Sequence, residues 1–485
     1  MTGKEPPVTS LPWERGWGAA SSLQAPSDTF HCGQYVLQTL LTEFSLQVER
    51  KITNVLKDSV NKELARTLLA GDKDEFDMLL KCLTNVSEHA LPSILTALFQ
   101  WHDMQIKPIQ EARKSNKELS SVGETRGENY RRSLPAILSD SLSLSSSPRS
   151  IPEPFLTMEK NAKIVTEEAE KLEKHELAVE FIFCLALIAV LPQLSVHPVS
   201  DEQVREIENL CFKNFKRKDF SQHNSRNGKD LTDLYAEVLG VLSEARFQSV
   251  IRKFKREINQ TYYTTQTIIN FINGMRFIKL KLYPIEALQA SFEFMQELGE
   301  FFLDAKEKET RHSYAGLITA LLVPVAAVIN REVNVPVCRN FVDKLHQPSL
   351  QLSSRKTHAA HLYDMITILL SVSSKQFFLT NWPIFLQMCI SGLKTRDLSK
   401  VSFNCIYRLV WVYVVRIKCE ANTTTNQRLT QIIEAIFPKG SRNIIPREGV
   451  QARDFIQLIL IISLEKLDYV MREVVYDLLC VTTGK

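Results

Sequence analysis

The sequence predicts an all-α protein built as a HEAT or armadillo-like helical-repeat solenoid, and three observations support this fold class. Only 16 of the 485 residues are glycine, about half the usual share of roughly 7%, whereas all-β and dinucleotide-binding folds need glycine for tight turns and phosphate loops. Apolar residues recur at helical spacing through most of the chain. Single cores stop growing near about 250 to 300 residues, while stacked helix units of roughly 40 to 47 residues have no such limit. Because no fixed period is visible in the letters, a bundle of two α domains stays open as the alternative.

Composition divides the chain into four segments. Residues 1–30 carry four prolines and three glycines with little periodicity, which predicts a disordered N-terminal segment. Residues 31–106 show amphipathic spacing and are expected to form helical repeats. Residues 107–158 lack a sustained period and contain the run SLPAILSDSLSLSSSPRSIPEP, which predicts a flexible Ser/Pro-rich insertion; Ser147, which stands before a proline, is a candidate phosphorylation site there. Residues 159–485 are expected to form the main helical-repeat solenoid.

Two segments near the C-terminus show the helical period plainly. From Phe403 and again from Leu467, apolar residues follow at offsets of three and four, which is one face of an α-helix. Prolines in NWPIF and YPIEA stand where a helix begins, since the first helical turn needs no amide donor. The residues predicted to be buried on the two C-terminal faces are Ile406, Trp411, Val414, Val470, Val474 and Leu478.

The cysteines predict a reducing compartment, and the longest apolar runs predict that no segment spans a membrane. The nine cysteines are widely spaced and never form a Cys-x-x-Cys pair, so neither a disulfide framework nor a zinc site is expected. The first residues carry charges and prolines where a signal peptide needs an apolar stretch. The apolar runs from Phe181 to Leu191 and from Leu317 to Ile329 are shorter than the roughly 20 residues that span a bilayer. No transmembrane segment is expected.

Motifs for catalysis and cofactor binding do not occur in the sequence. It contains no phosphate-binding glycine loop, zinc-protease helix, nucleophile elbow or kinase catalytic loop, which predicts a protein with no enzymatic activity, cofactor or small-molecule substrate. The nearest metal candidate is the set His358, His361 and Asp364, which share one side of a helix at spacings of three. We interpret this set as one partly buried histidine with solvated polar neighbours, because no cysteine or acidic cluster completes it.

Charge is unevenly distributed along the chain. The formal net charge is +4, yet residues 213–283 hold fourteen Lys and Arg against six Asp and Glu, an excess of +8, and residues 286–309 hold seven acids against two lysines, or −5. A local basic excess can steer an acidic partner. The alternative is that alternating charge only solvates the solenoid and pairs neighbouring repeats, and nucleic acid is disfavoured because no base-reading motif is present. The candidate partner-binding residues are Lys213, Lys216, Arg217, Lys218, Arg252, Lys253, Lys255 and Arg256.

Several long runs resemble the N-terminal region of the Furry family of cell-morphogenesis proteins. They include FIFCLALIAVLPQLSVHPV from Phe181, DLYAEVLGVL from Asp233, MRFIKLKLYPIEALQASFEFMQE from Met275, and VPVAAVINREVNVPVCRNFV from Val323. They continue with LSSRK, YRLVWVYVVRIKCEANT and FPKGSRNIIPR, in one order between residues 181 and 447. The stretch from about residue 35 to 101, which includes EHALPSILTALFQW, is more loosely similar.

The resemblance implies a HEAT or armadillo-like scaffold without enzymatic activity. It further implies association with NDR-class protein kinases and their Mob coactivators in cell morphogenesis, polarised growth and neurite patterning during neuron projection development, with microtubule contact in some members. A cytoplasmic location, at the cytoskeleton or at the cell cortex where growth is polarised, follows from the same resemblance. Since family members continue far beyond this region, the chain is expected to be a fragment or a short form. A transport-type adaptor and a nucleic-acid-associated helical-repeat adaptor stay open as alternative functions.

Overall fold

The computed structural model describes residues 28–57, 62–68, 75–132, 153–217, 220–328, 336–417, 423–436 and 452–476, without the side chains of 28–34 and 116–165. In this part of the chain every regular element is a helix, and no strand occurs. The α-helices are α1 (Asp28–Lys57), α2 (Leu64–Leu68), α3 (Glu75–Arg132), α4 (Glu153–Val190), α5 (Asp201–Lys216), α6 (Ser225–Ile258), α7 (Thr265–Gly274), α8 (Ile285–Asp304), α9 (Lys308–Val328), α10 (Pro336–Ser353), α11 (Lys356–Val372), α12 (Lys375–Gly392), α13 (Arg396–Trp411), α14 (Thr423–Ile436) and α15 (Ala452–Val470).

Three of these helices bend at a residue whose backbone angles are not helical. The bends lie at Ala90 in α3, Arg246 in α6 and Lys466 in α15, each with φ between −140° and −125° and a positive ψ. Short 3₁₀ turns at Leu191–Ser195 and 222–224 join neighbouring helices in the described part of the chain. The bends shorten the straight segments to lengths that stack side by side, as the sequence spacing predicts.

Helix starts follow from polar caps in the sequence. The hydroxyls of Ser200, Thr264 and Ser374 each accept a hydrogen bond from the backbone amide three residues later, at 3.3 Å. Such side chains satisfy one of the amides that have no partner inside the helix. These caps place the first residues of α5, α7 and α12, and α5 is the helix on which the candidate surface is built. Pro284 of YPIEA immediately precedes α8, as predicted, whereas Pro383 of NWPIF lies inside α12, so the helix start predicted there is wrong.

The chain forms two compact units, Met1–Lys253 and Phe254–Lys485. In the second unit the helices alternate between two layers: α7, α9, α11, α13 and α15 follow one another in one layer, and α8 and α10 pack side by side in the other. Connections of only two or three residues, at 305–307, 354–355, 373–374 and 393–395, make consecutive helices antiparallel. This alternation is the arrangement of a helical-repeat solenoid.

Polar contacts within the second unit show the repeat length, which no pattern in the amino-acid sequence reveals. Lys344 Nζ lies 2.7 Å from Glu300 Oε1, and Arg408 lies 3.4 Å from Asp364 Oδ1; the partners are 44 residues apart in both pairs. That separation falls within the roughly 40 to 47 residues of a HEAT or armadillo unit. The predicted all-α helical-repeat fold is therefore confirmed.

In the first unit the apolar run of α4 forms the centre of the core. Helices α3 and α4 pack along each other, and α1 lies against both. The side chains from Leu177 to Leu187 are buried almost without interruption, because neighbouring helices cover this part of α4 on several sides. Phe183 stacks on His102 of α3, with ring centroids 4.3 Å apart.

Two helical stretches in the described residues, Thr166–Ser195 and Lys308–Val328, are long and apolar enough to cross a membrane by length and composition. The apolar runs predicted from sequence are shorter, but the helices that contain them extend further. Each stretch contains an apolar window of 18 residues, and the buried share of that window is 72% in the first stretch and 39% in the second. One or two such helices are weak evidence for a membrane segment, because the core helix of a soluble protein passes the same test.

The predicted C-terminal faces are largely confirmed. Ile406, Val414, Val470 and Val474 are buried, whereas Trp411 is only half-buried, so its predicted burial is wrong. Trp411 ends α13 before the π-helical turn Val412–Arg416. It follows Phe403 by eight residues, which places it about 80° around the helix and at the edge of the buried face. Leu478 lies outside the described residues.

Helix α3 continues past the boundary at which the sequence places the flexible insertion. Ile109 is buried, and Arg113 forms a salt bridge with Glu176 of α4, so both contacts hold the helix beyond Lys107. The backbone is helical to Arg132 and again from Glu153. The serine-rich centre with Ser147, and residues 1–27, lie outside the described residues.

Candidate partner-binding surface

The basic segment of the first unit centres on the outer face of α5. The opposite face of this helix buries Val204, Ile207, Cys211 and Phe215 together with the polar Glu208 and Asn214, and the other polar residues lie on the outer side. These polar residues form a shallow groove of about 380 Å³, lined by Glu202, Arg205, Glu206, Asn209, Leu210 and Lys213. The groove carries two acids and two cations, so it is not uniformly basic.

Helix α6 adds further cations beside this groove. Lys253 Nζ donates a 2.8 Å hydrogen bond to Asn209 Oδ1 and lies 5.9 Å from the centroid of the Phe212 ring. Lys213 follows Asn209 by one helical turn and is exposed, as is Arg252. We term the groove of α5, together with Lys213, Arg252 and Lys253, the α5–α6 surface.

Arg217 belongs to the interior contacts of the first unit. Its guanidinium forms a salt bridge with Glu176, with Nη2 and Oε2 3.1 Å apart, and lies 4.8 Å from the centroid of the Phe220 ring. Arg217 therefore holds the end of α5 against α4. Lys216 is half-buried, and Lys218 lies outside the described residues.

The remaining candidate cations lie in the second unit and are considered separately. Lys255 Nζ is 2.5 Å from Glu297 Oε2 of α8, so this lysine of the basic stretch pairs with a glutamate of the acidic stretch that follows it. Arg256 is exposed. The pairing of Lys255 is the contact expected if alternating charges join neighbouring repeats.

The sequence does not predict the buried polar row on α4. Glu173, Glu176 and Glu180 follow one another at helical spacing and are all buried. Glu173 accepts hydrogen bonds at 3.1 Å from the amide of Ser221 and from the side chain of Asn224. Glu167 and Glu168, earlier in the same charged stretch, are exposed, whereas this row is buried because residues distant in the chain supply its partners. The sequence signal for this buried row is the spacing of three and four residues between its glutamates.

Glu180 lies in the core, where neighbouring side chains favour its ionised form. Burial by itself raises the pKa of a carboxyl group. His102 Nε2 lies 3.2 Å from Glu180 Oε2, and the Tyr235 hydroxyl donates a hydrogen bond to the same oxygen. These contacts outweigh burial, so the pKa of Glu180 falls below its ordinary value. The row thus ties α3, α4 and α6 together.

His358 and His361, the two histidines of the metal candidate, both contact a third histidine, His312. His358 Nδ1 and His312 Nε2 are 2.9 Å apart, and His361 stacks on His312 with ring centroids 3.9 Å apart. Burial, then His361 and His358, lower the pKa of His312 to about 4. Asp364 instead contacts Arg408. In the described ranges no group of His, Cys, Asp or Glu has an arrangement that could hold a metal ion.

Several thiols lie in environments that oppose nucleophilic chemistry. Burial raises the pKa of Cys184 and Cys389 well above the ordinary value, and raises that of Cys338 to about 12. A thiol must ionise to attack or to bind a metal. These cysteines therefore act as small apolar side chains of the core.

Comparison with known proteins matches the chain to one family. Residues 173–485 match the family described as Cell morphogenesis N-terminal, so the match begins at the first glutamate of the buried row on α4. The Cell morphogenesis protein PAG1 of Saccharomyces cerevisiae is 23% identical over 465 residues, which cover 85% of this chain and 20% of the relative. The Cell polarity protein mor2 of Schizosaccharomyces pombe is 23% identical over 469 residues, which cover 92% of this chain and 19% of the relative. The chain thus spans about a fifth of the length of these curated relatives. No solved structure matches it.

Proposed function

The chain belongs to the cell morphogenesis N-terminal family, and from that membership we propose that it is a non-enzymatic helical scaffold that acts in cell morphogenesis. The match over residues 173–485 carries this proposal, together with two relatives named for cell morphogenesis and cell polarity. It agrees with the resemblance to the Furry family. The high thiol pKa values of the core cysteines support a structural role for those residues.

We further propose that the scaffold binds an NDR-class kinase together with its Mob coactivator, and that it does so in the cytoplasm near the cell cortex. The α5–α6 surface is the part of the first unit that we assign to this contact. Exposed cations at the rim of an interface act mainly by speeding association with an acidic partner. Glu202 and Glu206 lie in the same groove as Arg205 and Lys213, and such mixed charges are better matched by a protein surface that carries both signs than by the uniformly anionic backbone of a nucleic acid.

The kinase contact is tested with the purified chain and a purified kinase–Mob complex. The double variant Lys213→Glu, Arg252→Glu reverses two exposed cations and leaves Arg217 and Lys255 in their internal ion pairs. We expect a lower association rate constant and a weaker dependence of that rate on salt, because steering between exposed charges is screened over roughly 8 Å at physiological ionic strength.

A matched control makes the same change of net charge elsewhere. Lys394 and Lys400 are exposed in the second unit, and the variant Lys394→Glu, Lys400→Glu should associate as the unaltered chain does. If both double variants slow association equally, net charge rather than the α5–α6 surface is responsible. If neither changes it, the kinase contact lies elsewhere or does not exist.

The morphogenesis role is tested in the cells that produce the protein. Deletion of the coding region for residues 173–485 should disturb cell shape and the position of growth sites, whereas the Lys394→Glu, Lys400→Glu variant should not. Cell shape and growth polarity that stay normal after the deletion would contradict the proposed role. This readout is independent of which partner binds the scaffold.

A further inference from the structure

Three histidines of the second unit meet where α9 and α11 lie side by side. His312 Nε2 and His358 Nδ1 are 2.9 Å apart, and the ring of His361 stacks on that of His312 with an angle of 8° between the planes. His358 is 8% exposed, whereas His361 is exposed, so this histidine cluster reaches from the interior of the unit to the solvent. One hydrogen lies between the two facing ring nitrogens, so the pair can take up one proton and keep its contact.

Cations surround the histidine cluster. On α9, Lys308 precedes His312 by four residues, so both lie on one face of the helix. Arg355 stands immediately before α11 and three residues before His358, and both Lys308 and Arg355 are exposed. Burial, and after it the positive charges of Arg311, Lys308 and Arg355, lower the pKa of His358. Three cations from two helices therefore act on one imidazole ring.

Hydrogen-bond donors at this position exceed the acceptors that the described residues supply. Arg311 donates a hydrogen bond from Nη2 to the carbonyl oxygen of Ala305, while its buried Nε has no partner among the described residues. A buried charged donor without a partner is unfavourable. Arg355 is the N-cap of α11 and makes no capping hydrogen bond with its side chain, which leaves the first amides of that helix available to an acceptor.

The acid that acts on the cluster is Glu309. Its effect on the pKa of His312 is upward, and it is smaller than the downward effects of burial, of the two other histidines and of Lys308. Helix α7, which also packs against α9, carries no charged residue. The other charged groups on the neighbouring elements are the exposed Asp304, Lys306 and Glu307 before α9, the ion pairs Glu297–Lys255, Glu300–Lys344 and Asp364–Arg408, and Asp343, which acts on His346.

We propose that the histidine cluster, together with Lys308, Arg311 and Arg355, binds a phosphate group that is either free or carried by a phosphorylated side chain of another protein. A metal ion would be repelled by the three cations, and two of the ring nitrogens already contact each other. A phosphate instead gains charge-assisted hydrogen bonds from lysine and arginine, and its negative charge favours protonation of the rings. The site does not depend on the kinase contact proposed for the α5–α6 surface.

Isothermal titration calorimetry of the purified 485-residue chain with inorganic phosphate, at constant ionic strength, tests the site. We expect binding, and we expect the variant Lys308→Gln, Arg355→Gln to bind about tenfold more weakly, because a hydrogen bond between charged groups contributes at least that factor. Both replaced side chains are exposed, so the variant should keep the helical circular-dichroism signal. The control Lys375→Gln, Lys400→Gln removes two charges from exposed positions elsewhere in the second unit and should bind phosphate as the unaltered chain does.

The part of the histidines is tested with sulfate, whose charge is constant over the pH range used. Because a bound anion raises the pKa of the rings, the complex holds more protons than the free chain, and sulfate affinity should rise as the pH falls from about 7.5 to about 5.5. In the variant His312→Asn, His361→Asn this rise should disappear, while binding at about pH 7.5 should remain because the rings are then neutral.

A short peptide that carries one phosphoserine distinguishes the two sources of the phosphate group. Tighter binding of this peptide than of inorganic phosphate, with no binding of the unphosphorylated peptide, assigns the site to a phosphorylated side chain, and the reverse order assigns it to free phosphate. Absence of binding heat with both probes overturns the proposal. Equal phosphate affinities of the unaltered chain and of Lys308→Gln, Arg355→Gln overturn it as well, since the anion then binds elsewhere, and a sulfate affinity that does not change with pH removes the histidines from the site.

Discussion

Replacement of Gly228 by alanine should destabilise the first unit, although the same replacement stabilises most helices. Gly228 lies in the first turns of α6, where the ring of Phe220 packs directly on its backbone. An added methyl carbon would lie 2.7 Å from three atoms of that ring, whereas carbon atoms in favourable contact are about 3.5 to 4.0 Å apart. The Arg217 guanidinium lies 4.8 Å from the centroid of the same ring, so a displaced ring would also disturb this contact.

The expected magnitude follows from two opposing contributions. Alanine is favoured over glycine inside a helix by about 0.5 to 1 kcal/mol. Overpacking of a filled contact typically costs about 1 to 3 kcal/mol. The cost of overpacking is the larger, and we expect Gly228→Ala to lower the free energy of unfolding by about 1 kcal/mol. Gly316, in α9, has no atom within 4 Å of the added methyl, so Gly316→Ala should raise it by about 0.5 to 1 kcal/mol.

Urea denaturation followed by circular dichroism measures both variants against the unaltered chain, provided that the slope of each transition is unchanged. In the background Phe220→Ala, where the ring is absent, Gly228→Ala should lose its cost and become neutral or stabilising, which gives a coupling free energy of about 1 to 3 kcal/mol. If Gly228→Ala stabilises the chain as much as Gly316→Ala does, or costs the same with and without the ring, the packing described for Phe220 is wrong.

Three further predictions concern other contacts. His312 has a pKa of about 4 when folded, against an ordinary value of 6.5. The stability that it contributes should therefore be complete above about pH 6.5 and fall as the pH drops toward 4. The variant His312→Asn should flatten the dependence of melting temperature on pH in that window, and an unchanged profile would contradict this prediction. Tyr235→Phe removes a hydrogen bond to the buried Glu180 carboxylate and should cost about 1.5 to 3 kcal/mol in urea denaturation, whereas a loss below about 0.5 kcal/mol would mean that water replaces the hydroxyl. Gly392→Ala should be destabilising because its methyl would overlap the Ser402 hydroxyl, and tolerated in the Ser402→Ala background; equal melting temperatures for both single and double variants would refute this contact.

The fold could be predicted because its causes are local. Each helix carries its own apolar period, and caps such as Ser200 and Ser374 stand in the sequence where the helices begin. The repeat length could not be predicted in the same way, because it is set by contacts between helices and not by residue types that recur in the sequence. Lys344 and Glu300 are one repeat apart, but any cation and any acid at those positions would serve, so no residue type recurs at the period. The half-buried Trp411 lies at the edge of its apolar face, and a period read from offsets of three and four does not separate edge positions from buried ones.

The candidate surface shows where sequence-based charge counting fails. A stretch with an excess of +8 suggests a continuous basic face, yet Arg217 is bound to Glu176, 41 residues earlier, and Lys255 to Glu297, 42 residues later. In a helical-repeat protein the acid that neutralises a cation lies one repeat away, so a window shorter than a repeat counts the cation and misses its partner. Only cations that point away from both neighbouring repeats stay available to another molecule. Lys213 is exposed, and the binding test therefore reverses exposed cations alone. A variant that also altered Arg217 would break an internal ion pair, and a loss of binding would then report on the fold instead of the surface.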